Sequence, residues 1–448
     1  MKKWVFLGGF LGLLIALLSP ALLAQKAKYW YELMNVIRRE KFDLVLPQAL
    51  RDNQVDMWIH VIKRGDPDPL ELDLGGTMGY FVFTDRGGER VERAVFGVRF
   101  AEFADWSVYD YIGEESELGK YVAERDPKRI AVNYSEWLTV ADGLSYTGYQ
   151  KLVKLLGPKY AQRLISAERV ITDFRTRRVQ TEIIAFARAC EIQRQIMEKG
   201  LRRIKPGVTT LEEIGWWAQD QLLKLGLPIS YLGCEGPGVI WSANSSSEEL
   251  DRPDYIIQRG DMLLWDWGIK YLNFGTDYKR YAYVLREGET SVPPGIQKAW
   301  KTAMKAREII KRTLKVGLTA GEALEAMVQA LEKEGFIYTP FTDIGPKDRE
   351  IINSLGDSEK PGISIDCHCV GNTGNSEVAV GPSIAPFRPD RAHLKLNPNN
   401  LFAFEFVVHV WVPEWKTRFR LNLEDNAILT EQGVEFLYPP NEKIILVK

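Results

Sequence analysis

The chain has 448 residues, of which 45% are hydrophobic and 26% charged, the composition of an ordinary folded protein without low-complexity tracts or tandem repeats. Its 58 basic and 60 acidic side chains nearly balance, which leaves no charge footprint for nucleic acid and no polybasic membrane patch. The length exceeds what one core usually supports and predicts two domains. Short peptides or small molecules are the expected partners.

The N-terminus has the layout of a secretory signal. Met1-Lys2-Lys3 precedes an apolar run, and small residues follow as far as Ala24. We therefore expect residues 1–24 to be a signal peptide, the protein to be exported to the periplasm or the medium, and no stable membrane span after cleavage. An uncleaved anchor is the alternative, because the apolar stretch is close to the roughly 20 residues that cross a bilayer.

Residues 25–172 predict an α/β domain. An amphipathic pattern over residues 30–53 indicates a helix, and apolar runs at 57–62, 79–84, 93–98 and 129–133 indicate strands. A glycine-rich turn at 85–88 joins the second and third strands into a hairpin. Together these elements predict a small sheet with flanking helices.

Residues 173–448 predict a second domain with an internal duplication. Helices are expected at 181–203 and 210–225, where Thr210 and Glu213 form a capping box and Gly226 ends the helix. A second helix pair is expected at 295–314 and 323–333 after a similar linker. Strand-rich sequence follows each pair, at 262–268 and 401–408. The fold class is therefore α/β (α+β), with two helix-helix-sheet halves around one sheet.

Four acidic residues lie inside apolar strand candidates: Asp266, Asp277, Glu405 and Glu424. An isolated buried charge costs several kcal/mol unless it is paired or binds metal. For any one of them, a solvated strand face or a salt bridge is the simpler interpretation. Carboxylates that converge, however, repel one another unless a cation compensates them. Together they indicate a site for divalent metal.

These segments resemble the metal-ligand motifs of the Xaa-Pro aminopeptidase and prolidase family. The resemblance rests on residues 260–268, 276–280, 397–405 and 423–433, with the spacing from Asp266 to Asp277 preserved. It implies a pita-bread domain with an internal pseudo-duplication, preceded by a creatinase-like N-terminal domain. It also implies two divalent cations bridged by carboxylates, removal of an N-terminal residue or cleavage of a dipeptide, often next to proline, and a homodimer.

The sequence departs from the family pattern at its histidines. Asn372 stands where the family has a metal-binding His, Ala379 stands where another active-site His is usual, and residues 241–249 lack a third. His368 matches a His that many members carry four residues before the metal ligand. The resemblance then implies metal ligands Asp266, Asp277, Asn372, Glu405 and Glu424, catalytic residues Glu405 and His368, and substrate-binding residues His368 and Trp411.

This ligand set predicts the cofactor and the reaction. An all-oxygen shell favours Mn or Mg over Zn, with one or two ions bound. The predicted function is a metal-dependent exopeptidase that hydrolyses short peptides through a metal-activated water, with Glu405 accepting the proton. Two alternatives stay open: a catalytically inert pita-bread protein that binds peptides or a protein partner, and a related fold that acts on a non-peptide small metabolite.

Overall fold

The computed structural model describes residues 26–99, 103–230, 233, 235–242, 252–339, 346–371 and 380–448, with the backbone alone at 346–349. The predicted signal segment, Asn372 and Ala379 lie outside the described residues. The chain divides into two compact units, Met1–Val132 with Leu144–Ile165, and Asn133–Gly143 with Ser166–Lys448. The second unit thus includes residues 133–143 and 166–172, which the sequence pattern assigns to the first domain. Hydrogen bonds such as Ser135 Oγ to Glu168 Oε2 (2.7 Å) hold these stretches together.

Several of the helices begin with a side-chain cap. The α-helices are α1 (Lys26–Glu40), α2 (Leu46–Asp52), α3 (Glu71–Leu74), α4 (Leu118–Arg125), α5 (Tyr146–Ala161), α6 (Glu168–Thr176), α7 (Gln180–Arg202), α8 (Leu211–Leu225), α9 (Pro294–Thr313), α10 (Ala320–Lys333) and α11 (Pro346–Ser354). A π-helical turn at Lys41–Val45 joins α1 to α2, so the single helix expected over residues 30–53 is one continuous helical stretch with a change of pitch.

The strands fall into two main groups, one in each unit. They are β1 (Met57–Ile62), β2 (Gly79–Thr84), β3 (Glu92–Phe96), β4 (Tyr111–Gly113), β5 (Ile130–Val132), β6 (Leu164–Ser166), β7 (Gly238–Trp241), β8 (Met262–Trp267), β9 (Lys270–Tyr271), β10 (Phe274–Gly275), β11 (Tyr278–Val284), β12 (Ile337–Tyr338), β13 (Gly362–Ile365), β14 (Cys367–Cys369), β15 (Ser383–Ile384), β16 (Asn400–Val412), β17 (Thr417–Thr430), β18 (Gly433–Phe436) and β19 (Ile445–Val447).

The first unit is a six-stranded mixed sheet in the order β4-β3-β2-β1-β5-β6. The predicted hairpin is present, because β2 pairs antiparallel with β3 across the glycine-rich turn. Every residue of the central strand β1 is buried, which requires both faces of the sheet to be covered. On one face Ile59 packs with Leu152 and Val122 from the helices.

The second unit repeats a helix-helix-sheet pattern, as the sequence predicts. Helix α8 begins after Thr210 and α10 after Thr319, and each threonine forms a capping box with a glutamate three residues later. Each threonine also makes an isolated antiparallel bridge, Thr210 to Ile256 and Thr319 to Lys395. The two halves therefore hold their second helix in the same way.

The strands described in the second unit form two larger hydrogen-bonded sheets and the two-stranded pair β9–β10, where the sequence pattern favours one sheet. One sheet has the order β19-β11-β8-β7, and the other is built on β16, β17 and their neighbours. Strands β11 and β17 face each other through side chains instead of a backbone ladder. The Tyr281 hydroxyl, for example, donates to the Asn422 carbonyl (2.9 Å) and accepts from its N–H (2.7 Å). This seam between β11 and β17 is where the acidic residues meet.

Among the described residues, we find no helix with the length and apolar character needed to cross a membrane.

Candidate metal centre

Strand register brings the four predicted carboxylates to one place. Glu405 on β16 lies directly opposite Glu424 on β17, and both side chains are buried. Asp266 lies on β8, and Asp277 comes immediately before β11, the strand paired with β8. Like charges directly opposite each other on neighbouring strands destabilise a sheet. This pairing is therefore favoured by a cation close by, or by a proton on one of the two carboxyls.

The ammonium of Lys279 supplies a positive charge at the centre of this cluster. Its Nζ lies 2.5 Å from Glu424 Oε2, 2.9 Å from Glu405 Oε1 and 3.1 Å from Asp266 Oδ2. Lys279 lies opposite Asp266 in the β8–β11 pairing and two residues after Asp277, hence on the same side of the chain. Lys279 is not among the site residues predicted from the sequence. A lysine inside the apolar run of β11 was the signal.

His368 completes the cluster from β14. Its Nε2 lies 3.7 Å from Glu405 Oε2 and 3.8 Å from Glu424 Oε1, distances too long for hydrogen bonds. Among the described residues, the buried atoms His368 Nε2 and Glu424 Oε1 have no hydrogen-bond partner. Ligand atoms of Asp277, His368 and Glu424 all lie within 4.8 Å of one another. A cation could bridge these three side chains.

The charges of the cluster are only partly compensated. Burial, and then the charge of Asp266, raise the pKa of Asp277 to about 7. Burial and the charge of Asp277 also raise the pKa of Glu424 well above its ordinary value. Burial alone would lower the pKa of Lys279, but Glu405, Glu424 and Asp266 outweigh it and raise that pKa. Burial is the larger cause of both raised carboxyl pKa values and the neighbouring carboxylates add to it, whereas burial would raise the pKa of Glu405 but Lys279 and His368 lower it.

A second ionic group lies next to His368, and it too was not predicted from the sequence. Asp366, two residues before His368, forms an ion pair with Arg388, whose guanidinium also donates to Ser383 Oγ (3.1 Å). Burial would lower the pKa of His368, but Glu405 and Asp366 raise it. The signal was an acidic residue at the end of the apolar strand β13.

Not every predicted site residue joins the cluster. Asp266, Asp277, Glu405, Glu424 and His368 do, whereas Asn372 lies outside the described residues. Trp411 is on β16, six positions beyond Glu405, which is about 20 Å along an extended strand. The structure therefore does not bring Trp411 to the carboxylates.

Comparison with known proteins places this centre in a family. Residues 185–431, more than half of the chain, match Metallopeptidase family M24. A Mycoplasma pneumoniae protein, provisionally named a Xaa-Pro aminopeptidase, is 26% identical over 226 residues. That match covers 50% of this chain and 60% of the length of the relative.

Solved structures of similar fold carry related names. An X-Pro aminopeptidase from Thermotoga maritima superposes with a TM-score of 0.59 at 18% identity, covering 89% of this chain and 100% of that one. A Xaa-Pro dipeptidase from Bacillus anthracis gives 0.57 at 16% identity, covering 92% and 99%. The prolidase of Pyrococcus horikoshii gives 0.55 at 16% identity, covering 91% and 99%. These matches confirm the predicted α/β pita-bread fold class.

Proposed function

The chain belongs to metallopeptidase family M24, and from that membership we propose that it is an exopeptidase that hydrolyses short peptides with the help of one divalent cation. The observation that carries the proposal is the group formed by Asp277, His368 and Glu424, whose ligand atoms lie within 4.8 Å of one another. Relatives with this fold are named X-Pro aminopeptidase, Xaa-Pro dipeptidase and prolidase. Their names support short peptides as the substrate class.

The side chains present fit one metal ion. His368 Nε2 and Glu424 Oε1 are buried and have no hydrogen-bond partner in the part of the chain that the structure describes, and buried polar atoms are normally satisfied. One imidazole and two carboxylates are a common donor set for a catalytic divalent ion. The preference for Mn or Mg over Zn rested on an all-oxygen shell, and an imidazole ligand removes that reason. We therefore propose His368 as a metal ligand, in addition to the roles that the sequence suggests.

The cluster also contains a candidate proton acceptor. When bound, a divalent ion would polarise the peptide carbonyl and lower the pKa of a nearby water. Glu405 is held by Lys279 through Oε1, while its Oε2 faces His368. This second oxygen would accept a proton from the attacking water. Asp266, with a side chain 53% exposed, marks the side from which a substrate can enter.

Other expectations are kept as part of the proposal. They are export through residues 1–24, assembly as a homodimer, and a short peptide or small molecule as the partner. Trp411 would contribute to substrate binding only for a peptide long enough to reach along β16.

Hydrolysis of defined peptides tests the proposal. Metal-free protein would receive Mn²⁺, and the products from Xaa-Pro and Xaa-Ala dipeptides and tripeptides would be measured by mass spectrometry. We expect Mn²⁺-dependent release of the terminal residue, and a loss of about 100-fold or more in Glu424→Gln, as when a group that stabilises the transition state is removed. Glu435→Gln, an exposed change on β18, is the matched control.

A peptide-binding protein without hydrolytic activity is the second candidate. The observation that favours it is the Lys279 ammonium among carboxylates that would otherwise surround metal. Peptide binding by calorimetry, without any product at saturating Mn²⁺, Mg²⁺ or Zn²⁺, would overturn the exopeptidase proposal in favour of this one.

A further inference from the structure

Lys279 places its ammonium where two buried carboxylates favour a cation. Glu405 and Glu424 face each other across β16 and β17 with side chains 7% and 1% exposed. Water cannot screen two carboxylates buried to this extent. The Lys279 ammonium contacts both of them and also reaches Asp266 on β8. It therefore links carboxylates from both sheets of the second unit, as a bridging metal ion would.

The contacts of the ammonium are made by carboxylates of the protein itself. A lysine ammonium has three N–H groups and no acceptor. Three carboxylates lie within 3.1 Å of Nζ. Nζ donates to Glu405 Oε1 and Glu424 Oε2, and Asp266 adds an ion-pair contact, so the protein itself engages the ammonium. Its role is to compensate charge.

The backbone on either side holds Lys279 in this position. Asn441 Nδ2 donates to the Lys279 carbonyl (2.7 Å), and the next residue, Arg280, forms a buried ion pair with Asp425 (3.0 Å). Asp425 directly follows Glu424, so this pair fixes β11 against the part of β17 that carries Glu424. The lysine side chain is 5% exposed. A swing out of the cluster would expose the carboxylates to one another.

An ammonium and a metal ion cannot share this position. A divalent ion takes carboxylate oxygens at about 2.0–2.6 Å. An ion bound to Asp266, Glu405 and Glu424 would thus lie almost on top of Nζ. The oxygen Glu424 Oε1 points away from the lysine toward His368 and stays available. The position held by Nζ is therefore closed to a metal ion, while the group of Asp277, His368 and Glu424 stays open.

We propose that the Lys279 ammonium replaces one metal ion of this centre, so that the chain binds at most a single divalent cation, at Asp277, His368 and Glu424. The inference rests on the proposed function for the open position. The replacement itself is tested by metal stoichiometry and requires no catalytic activity.

The experiment counts metal ions in protein stripped with chelator. Mn²⁺ would be titrated by calorimetry into wild type, Lys279→Ala and Lys279→Ser, with Lys270→Ala as the matched control because Lys270 is an exposed lysine of the same unit. Electron paramagnetic resonance on the same samples distinguishes an isolated Mn²⁺ from a spin-coupled pair. We expect at most one ion in wild type and in the control, and one additional ion in both Lys279 variants.

Each result bears on the replacement separately from the activity. An additional ion in the variants supports the replacement even if no peptide is hydrolysed, in which case only the exopeptidase proposal fails. A coupled Mn²⁺ pair in wild type would overturn the replacement, whatever the variants do. Folded variants with the wild-type stoichiometry would overturn it as well. If neither variant folds, the wild-type stoichiometry and spectrum still decide.

Discussion

Removing the Lys279 ammonium should strongly destabilise the second unit when no metal is present. The contacts to Glu405 and Glu424 join side chains that are 5%, 7% and 1% exposed. Removing one partner of such a buried ion pair destabilises a protein by about 3–5 kcal/mol. The contact to Asp266, whose side chain is 53% exposed, adds at most about 1 kcal/mol. We therefore expect Lys279→Ala to lower the free energy of opening by about 3–5 kcal/mol in chelator.

Amide hydrogen exchange read by mass spectrometry measures this effect locally. Peptides from β11 and β17 report the free energy of opening of the second unit. Added Mn²⁺ should restore protection in Lys279→Ala, by about 2.7 kcal/mol at a concentration 100 times Kd. Lys270→Ala should stay within about 0.5 kcal/mol of wild type. A Lys279→Ala protein as stable as that control in chelator would refute the idea that the carboxylates need this cation.

Three more outcomes follow from other parts of the chain. Glu424→Gln should remove Mn²⁺ binding measured by calorimetry, because Glu424 is shared by the open cation position and the ammonium; unchanged binding would exclude it as a ligand. A hydrogen bond from Arg125 holds the pKa of Glu92 below its ordinary value of 4.5. The hydrogen bond therefore stabilises the fold above that pH, and this stabilisation is lost as pH falls. The free energy of unfolding should depend less steeply on acidic pH in Arg125→Leu than in wild type, and parallel curves for the two proteins would contradict this expectation. Thr210→Ala and Thr319→Ala should each lower thermal stability by about 1 kcal/mol, since each threonine accepts a bond from its helix N-terminus; loss in only one of them would contradict the duplicated cap.

The regular elements were readable from the sequence because their signals are local. The capping box at Thr210 and the left-handed Gly226 at the end of α8 lie where they were predicted. The separation of the strands into two sheets was not readable. It depends on side-chain contacts such as Tyr281 to Asn422, between residues far apart in sequence. Strand propensity does not specify which strands form a ladder and which only pack.

The acidic residues of the candidate centre were predictable from the sequence, whereas the buried lysine was not. Asp266, Glu405 and Glu424 were recognisable because a carboxylate inside an apolar strand needs a partner. Lys279 obeys the same rule, but arginine and lysine also extend along apolar surfaces to reach water, so its burial was not evident. Its alignment opposite Asp266 depends on the pairing of β8 with β11. The pairing of Asp366 with Arg388 likewise depends on the tertiary fold.

The cross-strand pair Glu405 and Glu424 has a further consequence for how β16 and β17 align. Every residue of β16 from 400 to 410 is buried, so burial of alternate residues cannot select among shifted alignments of this long apolar hairpin. A shift by one position would place Leu423 or Asp425 opposite Glu405, and a shift by two would place Asn422 or Asn426 there. In each case Glu405 and Glu424 no longer face each other, and the one that is displaced loses its place beside the ammonium, which costs about 3–5 kcal/mol. The charged cluster therefore makes one alignment of the hairpin the stable one and disfavours slipped forms that could associate with other chains.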